Sequence, residues 1–369
     1  MNYSYWEYKE WFTNNDYVIV GSGIVGLNCA IALKERFPKA KVLILEKGLL
    51  PQGASTKNAG FACFGSVSEL LSDLKTHSEE EVFQLVKNRW EGLRLLRSLL
   101  GDDKIDYQHH NGYELFQNKE FYEQCSDKIS FLNQLLEPLF KEAVFTTIEN
   151  IFSFQKVVSN YIVNKHEGQI DTGKMMASLL ELAQKKGIKI LNNVTVESHT
   201  EDANKVTIKT NQGVFTTQKI LFATNGFSKQ LLGEKVQPAR AQVLVTKPIK
   251  NLHIKGTFHL DEGYYYFRNI DNRILFGGGR NLDFETEKTT EFGQTELVQN
   301  KLKEILETTI LPNTPFEIEA SWSGIMGVGV QKKPIVKQLS EHSYCGVRLG
   351  GMGIAIGSLV GKELADLID

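Results

Sequence analysis

The chain has 369 residues, 41% of them hydrophobic and 23% charged, with a formal net charge of −2. That length exceeds what one compact core usually holds, so two domains are expected. Near-neutral charge argues against nucleic acid or an anionic membrane surface as the main partner. The four cysteines (Cys29, Cys63, Cys125, Cys345) lie far apart without CxxC spacing. That pattern argues against a zinc site or a disulfide framework and suits a reducing compartment. No apolar run reaches transmembrane length, and residues 1–12 lack a basic-then-apolar leader, so a cytoplasmic protein without an integral membrane segment is expected.

The stretch from Asp16 to Lys47 carries the first strong signal. An apolar run, Tyr17 to Val20, reads as a buried parallel strand. The pattern Gly21-x-Gly23-x-x-Gly26 follows it, then an apolar helix from Ile24 to Arg36, stopped by Pro38. A second strand, Lys41 to Leu45, ends in Glu46. In such a βαβ unit Gly21 makes the tight turn, Gly23 admits a pyrophosphate and Gly26 lets the helix pack on the sheet. The helix N-terminus at Ile24 and Val25 presents N–H groups to phosphate, and Glu46 is placed to accept ribose hydroxyls.

After Lys47 comes a dense run of small residues, 53–65, that includes Ser55, Lys57, Asn58, Ala59 and Gly60. It reads either as backbone packed against a flat ligand or as a tight loop before buried structure. An amphipathic helix is expected over Ser78 to Leu100, a strand over Tyr107 to Phe116 and a helix over Phe121 to Leu139. His109 and His110 would point opposite ways on that strand and make a poor metal pair, so no metal is expected. A helix over Thr172 to Lys186, capped by Gly187, leads to a parallel strand at Ile188 to Leu191. Lys205 to Thr210 and Gly213 to Lys219 form a hairpin, and a further strand runs from Lys219 to Ala223.

Gly263 to Arg268 and Arg273 to Arg280 read as a second hairpin. There Tyr264, Tyr266 and Arg268 share one face, a combination that suits a small carboxylate or an amine. Core packing with Arg268 at the rim is the other reading. A helix follows over Glu291 to Leu306, and a last strand, Tyr344 to Leu349, opens through Gly350, Gly351, Met352 and Gly353 into a final helix from Ile354.

The GxGxxG turn, the acid at the end of the second strand and Ala54-Ser55-x-x-Asn58-Ala59-Gly60 together resemble the D-amino-acid oxidase superfamily of flavoproteins. That group includes glycine and sarcosine oxidases and gamma-glutamylputrescine oxidase-like proteins. The resemblance implies an α/β fold: a Rossmann-like FAD-binding domain of the glutathione-reductase/DAO type, with an inserted α+β substrate domain built on an antiparallel sheet. The FAD domain would comprise 1–100, 161–235 and 320–369, and the substrate domain 101–160 and 236–319. FAD rather than NAD is implied, with the small-residue loop beside the flavin ring and Lys47 near the acidic strand end. Val196 would contact the adenine side, Thr224 and Gly226 would close over the dinucleotide, and Gly324 would return the chain to the flavin. Gly351 to Ile354 would place a helix N-terminus at the pyrimidine end of the ring. At residue 226's neighbour, Asn225, the family more often carries Gly or Ala.

Family oxidases of the glycine type often carry a carboxylate-binding arginine where this chain has Met326, and covalent relatives carry a cysteine near Ser321–Ser323, which is absent here. Non-covalent FAD is therefore expected. The implied activity is oxidation of the C–N bond of an amino acid or substituted amine by hydride transfer to flavin N5, with hydrolysis of the imine. Tyr264, Tyr266 and Arg268 would position the substrate. Lys57 would add charge near the ring, for a carboxylate or to attract dioxygen, unless it is an ordinary loop lysine. Dioxygen or another acceptor would reoxidise the flavin. Two alternatives are oxidation of a hydroxy acid or glycerol phosphate and a flavin-binding subunit without turnover.

Overall fold

The computed structural model describes residues 3–369. One sheet runs in the order Ile335–Gln338, Ser343–Val347, Gly213–Phe222, Asn15–Val20, Val42–Leu45, Lys189–Leu191. From Ser343–Val347 to Lys189–Leu191 every neighbouring pair is parallel. Such a sheet is covered on both faces, which explains why Val18, Ile19, Leu43 and Ile44 are all fully buried. The two strands expected over 213–219 and 219–223 are one, Gly213–Phe222. Its first half pairs antiparallel with Val206–Thr210 and its second half parallel with Asn15–Val20.

The helix Ile24–Arg36 forms with the expected bounds and has nine buried positions. It crosses the final helix, Gly353–Asp366, closely: a Cβ at Gly361 would lie 2.7 Å from the Val25 carbonyl oxygen. The helix Glu79–Leu100 starts on a capping box between Ser78 and Glu81.

The second sheet has eight strands, in the order Ile318–Val328, Gln237–Thr246, Arg273–Gly278, Tyr265–Ile270, Thr257–Leu260, Gly112–Leu115, Asn160–Asn164, Phe145–Glu149. Only Thr257–Leu260 and Gly112–Leu115 pair in parallel. The expected domain edges at 161 and 320 fall inside Asn160–Asn164 and Ile318–Val328, both of which hydrogen-bond within this sheet. Its outer face carries an aromatic core in which Phe258 and Phe267 stack with centroids 4.5 Å apart.

Three expected elements are shorter than the periodicity suggests. The strand expected from 107 is reduced to Gly112–Leu115, because Asp106 and Asn111 take φ of 50° and 64°. The helix expected over 121–139 is two helices, Lys119–Ser126 and Ile129–Phe140. The helix expected from 291 begins at Glu296, after Gly293 with φ 133° and the N-cap Thr295.

Candidate active site

A cavity of about 760 Å³ opens between the two sheets. At one end its wall is largely backbone. Gly21, Gly23, Ile24 and Val25 bring the strand-to-helix turn and the helix N-terminus to it. Gly26 lies behind the turn, where a Cβ would stand 2.0 Å from the Gly21 carbonyl oxygen. Ile24 N–H donates to Ser55 Oγ at 2.9 Å, which ties the turn to the 54–60 loop.

Glu46 lines the cavity but is already well supplied with donors. Its Oε2 accepts from Ser22 N–H (2.9 Å) and Ser22 Oγ (2.7 Å), and its Oε1 from Gly48 N–H (2.9 Å). A ribose hydroxyl reaching this carboxylate would share it with, or displace, the Ser22 hydroxyl.

Lys47, Ser55, Lys57, Asn58, Ala59, Gly60 and Val196 also line the cavity. So do Thr224, Gly324, Gly351, Met352, Gly353 and Ile354. Gly226 does not reach it; it packs against the Met326 carbonyl, where a Cβ would approach to 2.6 Å. Asn225 takes φ 40°, and its Oδ1 accepts from Arg348 N–H (3.1 Å) and Leu349 N–H (3.2 Å). That bond pair is a reason for Asn at a position where glycine would satisfy the dihedral alone.

The other end is a chamber of side chains. Tyr264 and Tyr266 line it as expected from the strand face, and Lys57 lines it beside Gly324. Arg268 shares the face of Tyr266 but lies outside the cavity, 2% exposed, with its Nη2 3.1 Å from where a Cβ of Gly60 would sit. The cavity ends at the 58–60 turn, and two residues of strand carry the Arg268 head past it. Burial holds its guanidinium down at about 10, and its Nε has no partner.

Sequence reading missed His259, Cys63, Glu69 and Arg280, all on the chamber wall. His259 is 5% exposed; its Nε2 bonds Glu167 Oε1 at 2.6 Å and its Nδ1 lies 3.8 Å from Glu69 Oε2. Glu114 is its register partner on the adjacent strand. Burial pulls the imidazole down, but these carboxyl groups outweigh it and raise it to about 9. Phe61 meets both the His259 and Tyr266 rings edge-on, with centroids 5.3 and 5.6 Å away. No local spacing signals this cluster, because its members come from five separate segments.

Cys63, Glu167 and His259 bring donor atoms within 4.8 Å of one another, and all three are buried. Their chemistry is that of an ion pair beside a neutral thiol: burial, with Glu167 and Glu69, pushes Cys63 well up. His109 and His110 lie just before Gly112–Leu115 and are not members of this cluster; His109 Nε2 contacts the Lys165 carbonyl oxygen at 2.6 Å.

A family model for FAD dependent oxidoreductases, the DAO family, matches residues 16–367. The chain belongs to that family and is an FAD-dependent oxidoreductase. It is 21% identical over 373 residues to a probable oxidoreductase OrdL of Haemophilus influenzae, with 96% of this chain and 82% of that protein covered. It is 22% identical over 382 residues to the gamma-glutamylputrescine oxidoreductase of Escherichia coli, with 96% and 83% covered. Among solved structures, glycine oxidase from Bacillus cereus superposes with a TM-score of 0.78 at 18% identity, covering 96% of this chain and 95% of that one. L-proline dehydrogenase from P. horikoshii gives a TM-score of 0.76 at 18% identity, covering 96% and 93%.

The backbone end of the cavity fits FAD by its own geometry. Thr224 Oγ1 is buried there without a partner. A Cβ at Gly351 or Gly353 would find its nearest neighbour only at 3.9 Å, so the last turn leaves room along the wall. The N-termini of Ile24–Arg36 and Gly353–Asp366 open into the same space, as a bound anion and an electron-rich ring both require.

Proposed function

We propose that this protein oxidises the C–N bond of an amino acid or substituted amine. The observation that carries the reading is the continuity of the cavity: the dinucleotide cradle opens directly into a chamber lined by aromatic and ionisable side chains. The names of the similar proteins, gamma-glutamylputrescine oxidoreductase and glycine oxidase among them, support the same substrate class.

When bound non-covalently, FAD supplies the acceptor for the hydride that leaves the substrate carbon. The turn 21–26 and the Ile24–Arg36 N-terminus would hold the pyrophosphate, Glu46 would meet the ribose, and Val196 and Thr224 would line the rest of the dinucleotide. The turn 350–353 closes the far end. Tyr264, Tyr266 and Phe61 wall the chamber and exclude water while the substrate is oriented. Lys57 adds positive charge beside Gly324. The imine product needs only water for hydrolysis, so no acid–base dyad is required. Dioxygen or a second acceptor completes turnover, and four cysteines without a disulfide suit a cytoplasmic setting.

The test is the visible spectrum of the anaerobic holoprotein before and after addition of amino acids, N-methyl amino acids and polyamines. Bleaching of the flavin by one class is the expected result. A spectrum bleached by hydroxy acids or glycerol phosphate and by no amine would overturn the C–N reading.

A further inference from the structure

Four arginines stand on or directly after the strands beside the chamber; two of them are matched, and a third, Arg268, is sealed outside the cavity. Arg240 Nε donates to Glu287 Oε2 at 2.8 Å and its Nη2 to Glu287 Oε1 at 3.1 Å. Arg273 Nε donates to Glu319 Oε2 at 2.7 Å. Arg280, which follows Arg273–Gly278 at the start of a short 3-10 turn, has no carboxylate within ion-pair distance among the described residues. The nearby carboxylate, Glu287, is 1% exposed and already taken by Arg240, Gln242 and Thr295. What touches Arg280 is the Phe284 ring, 4.9 Å from its guanidinium carbon.

Arg280 lines the cavity together with Tyr264 and Tyr266. The strand pairing explains the grouping. Tyr266 is in register with Gly277 and Tyr265 with Gly278. The absence of a side chain at 277 makes room for the Tyr266 ring, which a Cβ there would meet at 2.7 Å. The Tyr266 ring thus lies over Gly277, and Arg280 follows the run of glycines 277–279 that begins there. Burial holds the Arg280 guanidinium below its ordinary value, against the opposing pull of Tyr264, Glu287 and Tyr266 nearby.

We infer that Arg280, with the hydroxyls of Tyr264 and Tyr266, holds the carboxylate of the substrate, and that the substrate is therefore an amino acid and not a plain polyamine. The inference deepens the proposed C–N oxidation and rests on it. The carboxylate anchor then comes from the end of Arg273–Gly278 and leaves position 326 free to be methionine, which lines the cavity as an apolar surface. A planar guanidinium fork flanked by two neutral hydroxyls matches a planar monoanion. A phosphate dianion is disfavoured because Glu69 and Glu262 line the same chamber. Those carboxylates instead suit the ammonium end of a dipolar substrate, which arrives as the cation and gives its proton to solvent water to become the neutral amine that is oxidised.

The experiment titrates sodium acetate, and separately sodium phosphate, into the FAD-loaded protein and follows the perturbation of the flavin spectrum. Wild type, Arg280→Met and Arg280→Lys are compared, each first checked for flavin content. The expected result is saturable perturbation by acetate in the wild type, with the dissociation constant raised roughly 10- to 100-fold in Arg280→Met and less in Arg280→Lys. In turnover, the preference for sarcosine over dimethylamine should collapse in Arg280→Met through KM more than kcat. An acetate constant unchanged by Arg280→Met, a wild type indifferent to acetate, or a wild type that takes phosphate more tightly than acetate would each overturn the assignment. Bleaching by amines regardless of a carboxylate would sink it while leaving C–N oxidation standing. Failure of every amine to bleach the flavin would sink the proposed reaction, and the acetate titration would still report on the anion site.

Discussion

Around Gly21–Gly26 the cavity wall is backbone, held by close approach of main chains and by parallel strands buried on both faces. Around His259 it is ionisable side chains: His259, Glu69 and Cys63 on the wall, with Glu167 and Glu114 behind them. The first region recognises a ligand by shape and by N–H groups that every residue possesses, so sterics control it. The second recognises by charge, so pairing and desolvation control it. The two should fail differently.

The largest effect is expected in the first region. Gly26→Val puts a branched side chain where even a Cβ would lie 2.0 Å from the Gly21 oxygen. No flexible group can yield there, so the cost goes beyond the ~1–3 kcal/mol of ordinary overpacking to loss of the packed helix–sheet joint itself. Urea denaturation should show a large loss of stability, and the purified variant should be colourless. A variant that folds with full flavin content would show that the helix can slide off the sheet, and the rigid-cradle picture would fail.

Next comes the buried pair in the second region. Glu167 is fully buried, and removal of one partner of such a pair costs about 3–5 kcal/mol, so Glu167→Ala should fall in that range. Glu167→Gln should cost less, since its amide oxygen still accepts from the imidazole. The pH dependence has a definite sign. His259 sits at about 9 in the folded protein, above its ordinary 6.5. Its contribution is fully present below pH 6.5 and is lost as pH rises towards 9, up to roughly 3 kcal/mol. Buried thiols, raised by burial, also cost stability at alkaline pH as the unfolded chain ionises. The difference between the wild-type and Glu167→Ala curves isolates the imidazole, and parallel curves from pH 6 to 9 would break the ion-pair account.

The same contrast decides what was legible in the sequence. The cradle is assembled from several segments, but its main turns, 21–26, 53–60 and 350–353, are each short and glycine-rich beside a strand or a helix, so each carries a local signature that sequence reading can pick out. The chamber gathers residues 61, 69, 167, 259 and 280 from distant segments, and no local pattern links them. Strand alternation correctly grouped Tyr264 and Tyr266 but says nothing of where a cavity stops. The exposed guanidinium expected at Arg268 is therefore sealed behind Gly60, and Arg280 takes its place on the wall. Element lengths in the second domain misread for a related reason: positive φ at Asp106 and Asn111 ends a strand that periodicity alone would continue.

The smallest effect tests the joint between the regions. Asn225 lies on the cavity wall where the chain leaves Gly213–Phe222, and its Oδ1 clamps the backbone of Arg348 and Leu349, which leads into the 350–353 turn. Asn225→Gly keeps the φ of 40° at no steric cost but loses both bonds, an expected ~1–2 kcal/mol. Asn225→Ala loses the same bonds and in addition forces a Cβ into the left-handed region, so it should be worse by about 1 kcal/mol. Thermal melts of the two variants therefore separate the bond term from the dihedral term. Both variants should also bind FAD more weakly than the wild type, since the clamp positions the last turn of the cradle. Equal melting of the glycine and alanine variants would show that the backbone relaxes out of the left-handed region once the side chain lets go, and that the clamp itself creates the conformation.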